Sequence, residues 1–123
     1  MSEEVANALE DGMPLVALES SVIAQGLPRP VNLEAALHVE EAVRTAGAVP
    51  ATLAVLDGRI SVGLGRTQLE RLARQQGISK AGARDLAWAV STGASMATTV
   101  GSSIAISAAA GIHVLATGGV GGA

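Results

Sequence analysis

The stretch LVALESSVIAQGLPRPVN, Leu15 to Asn32, organises the reading of this chain. It opens with the apolar run Leu15 to Leu18, places one carboxylate, Glu19, directly after it, and continues with the hydroxyls of Ser20 and Ser21. Gly26, Pro28 and Pro30 then close it as a corner. An aliphatic run of this length reads as a buried strand from Leu15 to Glu19, with the acid at its end. A carboxylate is rarely buried without a partner, so Glu19 either faces a cleft or lies in a solvated loop just past the strand.

Outward from this stretch, aliphatic strands alternate with Ala-rich helices. Ser2, followed by Glu3 and Glu4, caps a short helix carrying Val5, Ala8 and Leu9, which Gly12 and Pro14 stop. Asn32 reads as the N-cap of a helix from Leu33 to Ala46, with Leu33, Leu37, Val39, Glu40 and Val43 as its inward stripe and Gly47 as its terminator. Ala51 to Leu56 and Arg59 to Val62 are two runs separated by Asp57-Gly58, a strong short-range hairpin signal. Thr67 caps a helix from Gln68 to Gln75 that ends at Gly77. Ile78 to Lys80 forms a short strand, and a further helix starts at Ala83 or Arg84 and reaches Val90. Ala94 to Ala110 reads as a Thr/Ser-rich lead-in to an Ala-rich helix stopped by Gly111, and Ile112 to Ala116 as a buried strand running into Thr117-Gly118-Gly119-Val120-Gly121-Gly122. This alternation predicts an α/β fold, layered α/β/α with a largely parallel central sheet that is incomplete in this chain. A strand delivered into repeated glycines points to a continuation, so 1–123 reads as the amino-terminal portion of a single domain, truncated after the glycine-rich loop.

Composition narrows the function. The 123 residues hold no Phe, Tyr or Cys, and Trp88 is the only aromatic, so the core is built from small aliphatics. A net charge of −3 without basic runs, and without aromatic stacking platforms, argues against nucleic acid as a partner. The absence of cysteine excludes disulfides and thiolate metal sites. The acidic first residues do not read as a signal peptide and glycines break up the apolar region from Ala87 onward, so no membrane association is expected and the cytoplasm is the default location.

Among side chains able to carry chemistry, Lys80 is the only lysine: a point charge for a phosphate or carboxylate, or an ordinary surface residue. Arg84 and Asp85 read as a local ion pair or helix cap. Thr98, Thr99, Ser102 and Ser103 cluster at the amino end of a helix, where N–H donors and hydroxyls suit an anion or a sugar, though capping accounts for some of them. His38 and His113 show no metal-ligand spacing and read as structural. The glycine run is neither a Walker A loop nor a complete dinucleotide fingerprint, and no nucleophilic triad can be assembled.

Taken together, VALESSVIAQGLPRPVN, GAVPATLAVLDGRISVGL, SKAGARDL, ATTVGSSI and AAGIHVLATGGVGG resemble, in order, the pseudouridine-5'-phosphate glycosidase family, which includes the indigoidine synthase A-like proteins. The resemblance covers nearly the whole chain from Leu15. It implies reversible C-glycosidic cleavage of pseudouridine 5'-phosphate to uracil and ribose 5-phosphate through a lysine imine, with a divalent metal, usually manganese, and a homo-oligomeric enzyme. It also implies Glu19 as the proton donor, Lys80 and Val100 as substrate contacts, and Thr117 at the border of the same pocket. The imine-forming lysine and the metal-binding aspartate of the family would both lie beyond Ala123. Two departures, GARDL in place of SRRDL and Met96 in place of a glycine, are expected beside the phosphate end of the site. The alternative is an inactive truncated fragment that binds phosphosugar weakly or only self-associates, for which borohydride trapping with ribose 5-phosphate should give no adduct on Lys80. A phosphosugar kinase-like enzyme would share the glycine loop but not the ALES and PATLAVLDG stretches.

Overall fold

A computed structural model describes residues 1–75 and 78–117. The chain runs α1 (Glu3–Glu10), β1 (Leu15–Leu18), a π-turn (Val22–Gly26), α2 (Val31–Thr45), β2 (Val49–Leu56), β3 (Arg59–Val62), α3 (Arg66–Arg74), β4 (Ser79–Ala81), a 3-10 turn (Ala83–Asp85), α4 (Leu86–Thr92), β5 (Met96–Thr98), α5 (Val100–Ala110) and β6 (Val114–Ala116). The sheet order is β4-β5-β2-β1-β6, with β3 also paired to β2. The β1–β2, β1–β6 and β4–β5 pairs are parallel, whereas β2–β3 and β2–β5 are antiparallel.

β2 is the axis of the molecule because it is buried from Pro50 to Leu56. Side chains alternate across a strand. Ala51 and Leu53 accordingly join Val5, Ala8 and Ile106 of α1 and α5 on one face, and Val55 meets Ala89 of α4 there. Ala54 and Leu56 join Ala36, Leu69 and Leu72 of α2 and α3 on the other. Two helical layers thus enclose the sheet. Leu53, Leu69 and Leu72 are at most 1% exposed, each contributing roughly 1.5–3 kcal/mol by burial. The hairpin forms as its dipeptide dictates: Asp57 (φ 51°) and Gly58 (φ 76°) both take the positive φ that a two-residue turn of this kind needs.

Several local expectations are corrected. Asn32 is not the N-cap of α2. The helix starts at Val31 with Pro30 before it, and Asn32, buried in its first turn, donates from Nδ2 to the carbonyls of Ile23 (3.0 Å) and Ala73 (2.8 Å). Of the expected inward stripe of α2, Glu40 is buried and Leu33 and Leu37 pack partly buried against the core, joined by the buried Asn32 and Ala36, while Val39 is 47% exposed. Gly65 rather than Thr67 precedes α3, its N–H donating to Gln68 Oε1 at 2.9 Å. Met96 to Thr98 is a strand, not a lead-in to a helix. β6 begins at Val114 and lies open at the sheet edge: Ile112 is buried, but Val114 is 54% exposed. The helix terminator Gly77 and the glycines after Thr117 lie outside the described residues. Among the described residues no helix is long and apolar enough to cross a membrane.

Candidate active site

The register of the sheet builds the site. β1 runs alongside β2 as far as Leu18↔Thr52, and β5 runs against β2 as far as Ala54↔Ala97. The two strands therefore approach Leu53 from opposite directions, and their carboxyl ends meet there. Ser20, just past β1, and Thr98, the last residue of β5, join across that point. Thr98 N–H donates to Ser20 Oγ at 2.9 Å, Ser20 N–H donates to Thr98 Oγ1 at 3.2 Å, and Thr98 Oγ1–H donates to the Leu53 carbonyl at 3.0 Å. Both residues are fully buried. Buried hydrogen bonds of this kind contribute about 1 kcal/mol each, and leaving one unmade costs more.

On the α2 side of this junction opens a cleft of about 810 Å³, walled by β1, the π-turn, α2, β4, the start of α5 and the end of β6. Glu19, Lys80, Val100 and Thr117 all line it. Glu19 follows β1 and accepts a hydrogen bond from Thr117 Oγ1 at 2.9 Å. Thr117 reaches it because β6 lies parallel to β1, with Ala116 opposite Leu18. Lys80 sits in β4 opposite Ala97. Its neighbour Ala81 turns into the α4 cluster, so strand alternation sends Lys80 to the opposite face, where the cleft lies. Val100 opens α5, and the remaining wall is mostly apolar, with Leu18, Ile23, Ala36 and Val39.

The hydroxyl cluster read as an anion or sugar site is mostly occupied with structure. Thr98 serves the strand junction. Thr99 and Ser102 cap α5 reciprocally, with Thr99 N–H donating to Ser102 Oγ at 3.0 Å, and Thr99 Oγ1 also donates to the Ala81 carbonyl at 3.2 Å. Ser103 is buried in α5. Of the four, Thr99 alone lines the cleft. Asp85 acts as a cap, its Oδ2 accepting from Gly82 N–H at 2.9 Å. Met96 does not crowd the site, since it is buried with Val55, Ala81 and Ala89.

Behind the cleft wall stands a group built on Glu40, which sequence reasoning set on the stripe of α2 but gave no role. Thr52, which lines the cleft, donates its hydroxyl to Glu40 Oε2 at 2.6 Å, and Arg44 Nη2 lies 3.6 Å from Glu40 Oε1. Burial pushes the Glu40 carboxyl above the ordinary glutamate range, against the pull of the Thr52 hydroxyl and Arg44. Arg44 in turn makes a two-pronged contact with Glu4, at 3.1 and 2.9 Å, which holds Glu4 below that range. The i, i+4 spacing of Ala36 and Glu40 on an inward face was the available signal, but an acid on a helix ordinarily reads as solvated. Among the described residues no three His, Asp or Glu side chains come together as a metal site. Glu19 is the sole carboxylate among the described residues of the cleft wall.

Known proteins resemble this chain along nearly its whole length. The chain is 57% identical over 122 residues to a pseudouridine-5'-phosphate glycosidase of Streptomyces griseus, covering 99% of this chain and 38% of that protein. It is 54% identical over 122 residues to one from Myxococcus xanthus, covering 98% and 40%. Among solved structures, the prealnumycin C-glycosynthase AlnA in complex with ribulose 5-phosphate superimposes with a TM-score of 0.87 at 45% identity, over 98% of this chain and 39% of that one. An indigoidine synthase A-like protein of Thermotoga maritima gives 0.84 at 37% identity, over 90% and 38%. The chain thus spans about two fifths of the length of these relatives. The model of the indigoidine synthase A-like proteins matches from residue 4 to residue 123, through both strands that meet at the cleft, and the chain belongs to that family.

Proposed function

We propose that this chain is the amino-terminal portion of a single-domain C-glycosidase that converts pseudouridine 5'-phosphate and water reversibly to uracil and ribose 5-phosphate. The observation that carries the reading is the Glu19 carboxylate, oriented by the Thr117 hydroxyl on the wall of a largely apolar cleft that Lys80 also lines. The names of the relatives given above support the same substrate.

The chemistry suits these residue types. When the carbon–carbon bond breaks, its electron pair leaves with the uracil ring, which takes up a proton at that carbon. The sugar carbon ends as the aldehyde carbon of ribose 5-phosphate, carrying the oxygen of the water consumed. A carbon leaving group cannot depart without that proton, and a carboxyl group in a partly apolar cleft is fitted to deliver it; Glu19 takes this role. Lys80 contributes a fixed positive charge for the phosphorylated sugar, and Val100 packs against the ligand. The imine-forming lysine that the resemblance implies would lie beyond Ala123, so no covalent step is assigned to Lys80. Among the described residues no side chains gather that would fit a manganese site, so no step is routed through a metal; a divalent cation would take its protein ligand from beyond Ala123.

The reading includes a homo-oligomer in the cytoplasm. The test is an assay of the protein as its native host makes it, supplied with pseudouridine 5'-phosphate and manganese. Release of uracil is expected, and Lys80→Ala should raise KM roughly tenfold or more with little change in kcat. No release of uracil, with or without metal, contradicts the reading, and an unchanged KM removes Lys80 from the site.

A further inference from the structure

We propose that Ser20 and Thr98 are positioning residues for Glu19: their hydroxyls set the spacing between the acid after β1 and the α5 wall, and thereby the rate of proton delivery rather than substrate affinity. The proposal rests on the assignment of Glu19 as proton donor made above.

Hydrogen bookkeeping fixes the direction of every bond in the junction. A threonine hydroxyl has one proton and two acceptor sites. The proton of Thr98 Oγ1 goes to the Leu53 carbonyl, and the backbone N–H of Ser20 takes one acceptor site. The 3.2 Å contact between Ser20 Oγ and Thr98 Oγ1 must therefore be donated by Ser20. Ser20 Oγ then accepts from Thr98 N–H. The result is a one-way relay from Ser20 through Thr98 to β2, closed by two reciprocal N–H bonds. It leaves no rotamer freedom in either hydroxyl.

The position matters as much as the saturation. The β1 ladder ends at Thr52 and the β5 ladder ends at Ala54, so Leu53 falls between them. The two side chains replace the missing ladder bonds at that point. Glu19 precedes Ser20 by one residue, and Thr99 and Val100 follow Thr98 directly, all three on the cleft wall. Any change in the Ser20–Thr98 separation is transmitted to the distance between the acid and the α5 end of the cleft. A displacement on the order of 1 Å is enough to cost about a hundredfold in rate when a proton must be transferred along a fixed line.

The experiment compares Thr98→Val, which keeps shape and strand preference but deletes the relay, with Thr98→Ser, which restores a hydroxyl, in the protein made by its native host. Val5→Ala, in the core between α1 and the opposite face of the sheet, none of whose buried residues lines the cleft, controls for lost stability. With all proteins held at a temperature where circular dichroism shows them folded, Thr98→Val should lower kcat about a hundredfold while the dissociation constant for ribose 5-phosphate stays within threefold. Thr98→Ser should recover most of kcat, and Val5→Ala should retain it. Should Thr98→Val not fold, Ser20→Ala is read out in the same way. A hydroxyl-deleted variant with wild-type kcat, or one whose loss Thr98→Ser does not repair, overturns the positioning role and leaves the proposed function standing. A wild-type protein without uracil release overturns both.

Discussion

The hairpin end of β2 and the middle of the strand, where the cleft opens, handle polar groups in opposite ways. At the hairpin end, Asp57 meets Arg71 through two contacts of 2.7 and 2.8 Å, and both side chains are solvent-exposed. At the cleft, Glu40, Thr52, Ser20 and Thr98 are buried, and their bonds join segments as far as 78 residues apart. The first region tolerates water and is set mainly by local turn chemistry. The second excludes water, so each donor there must find a protein partner or destabilise the fold. A binding site needs rigid walls of the second kind, and the candidate catalytic acid stands beside them.

The largest effect on stability is expected where the hairpin end has no slack. A Cβ on Gly58 would come within 2.8 Å of Gly93 Cα and 3.1 Å of the Val90 carbonyl, at a φ of 76°. Gly58→Ala should destabilise the protein by about 2 kcal/mol or more, measured as a fall in the urea midpoint. Uracil release per folded molecule should remain at the wild-type level, because the turn is remote from the cleft. A change in kcat here would erase the distinction between the two regions.

A smaller effect, with a defined pH dependence, belongs to Glu40. Burial raises its pKa in the folded state, so the fold keeps that proton to a higher pH than the unfolded chain does. The stability contribution of protonated Glu40 is full below the ordinary glutamate range and is lost as pH rises through the elevated folded value. Glu40→Gln keeps an acceptor for Thr52 without the buried charge. It should be equal to wild type or more stable by about 1 kcal/mol at neutral pH, with the gap closing as the solution is acidified. Thermal denaturation of both proteins across that range checks this, and a gap that widens on acidification would contradict it.

The smallest effect is assigned to Arg71→Gln. Arg71 holds Asp57 below the ordinary carboxylate range, so the pair stabilises above that range and its contribution is lost as pH falls through the lowered value. In solvent the pair is screened, and the urea midpoint should move less than for Gly58→Ala and less again in molar salt. A salt-insensitive shift as large as that of Gly58→Ala would make the hairpin end electrostatically organised after all.

The same contrast explains what could be read before the structure. Asp57-Gly58, the Ser2 cap and the aliphatic run of β2 act over a few residues, and each announced its element. Glu19 and Lys80 stood out singly, as an acid at a strand end and as the one lysine. That they line one cleft follows from the order β4-β5-β2-β1-β6, a long-range property. β5 escaped notice because the three residues Met96, Ala97 and Thr98 are too few to show a strand period, and its partners are distant in sequence. Asn32 was read as a cap from its residue type, whereas its amide is claimed by carbonyls of the π-turn and α3. The exposure of β6 could not be inferred from its aliphatic composition, since burial depends on what lies beside the sheet edge.

The central claim is that Glu19 delivers the proton that lets uracil leave. Its most direct test is single-turnover uracil release by Glu19→Gln, beside calorimetric binding of ribose 5-phosphate. The account predicts that release falls by a factor on the order of a hundred or more while binding and melting temperature stay close to wild type. Wild-type release from Glu19→Gln would contradict it.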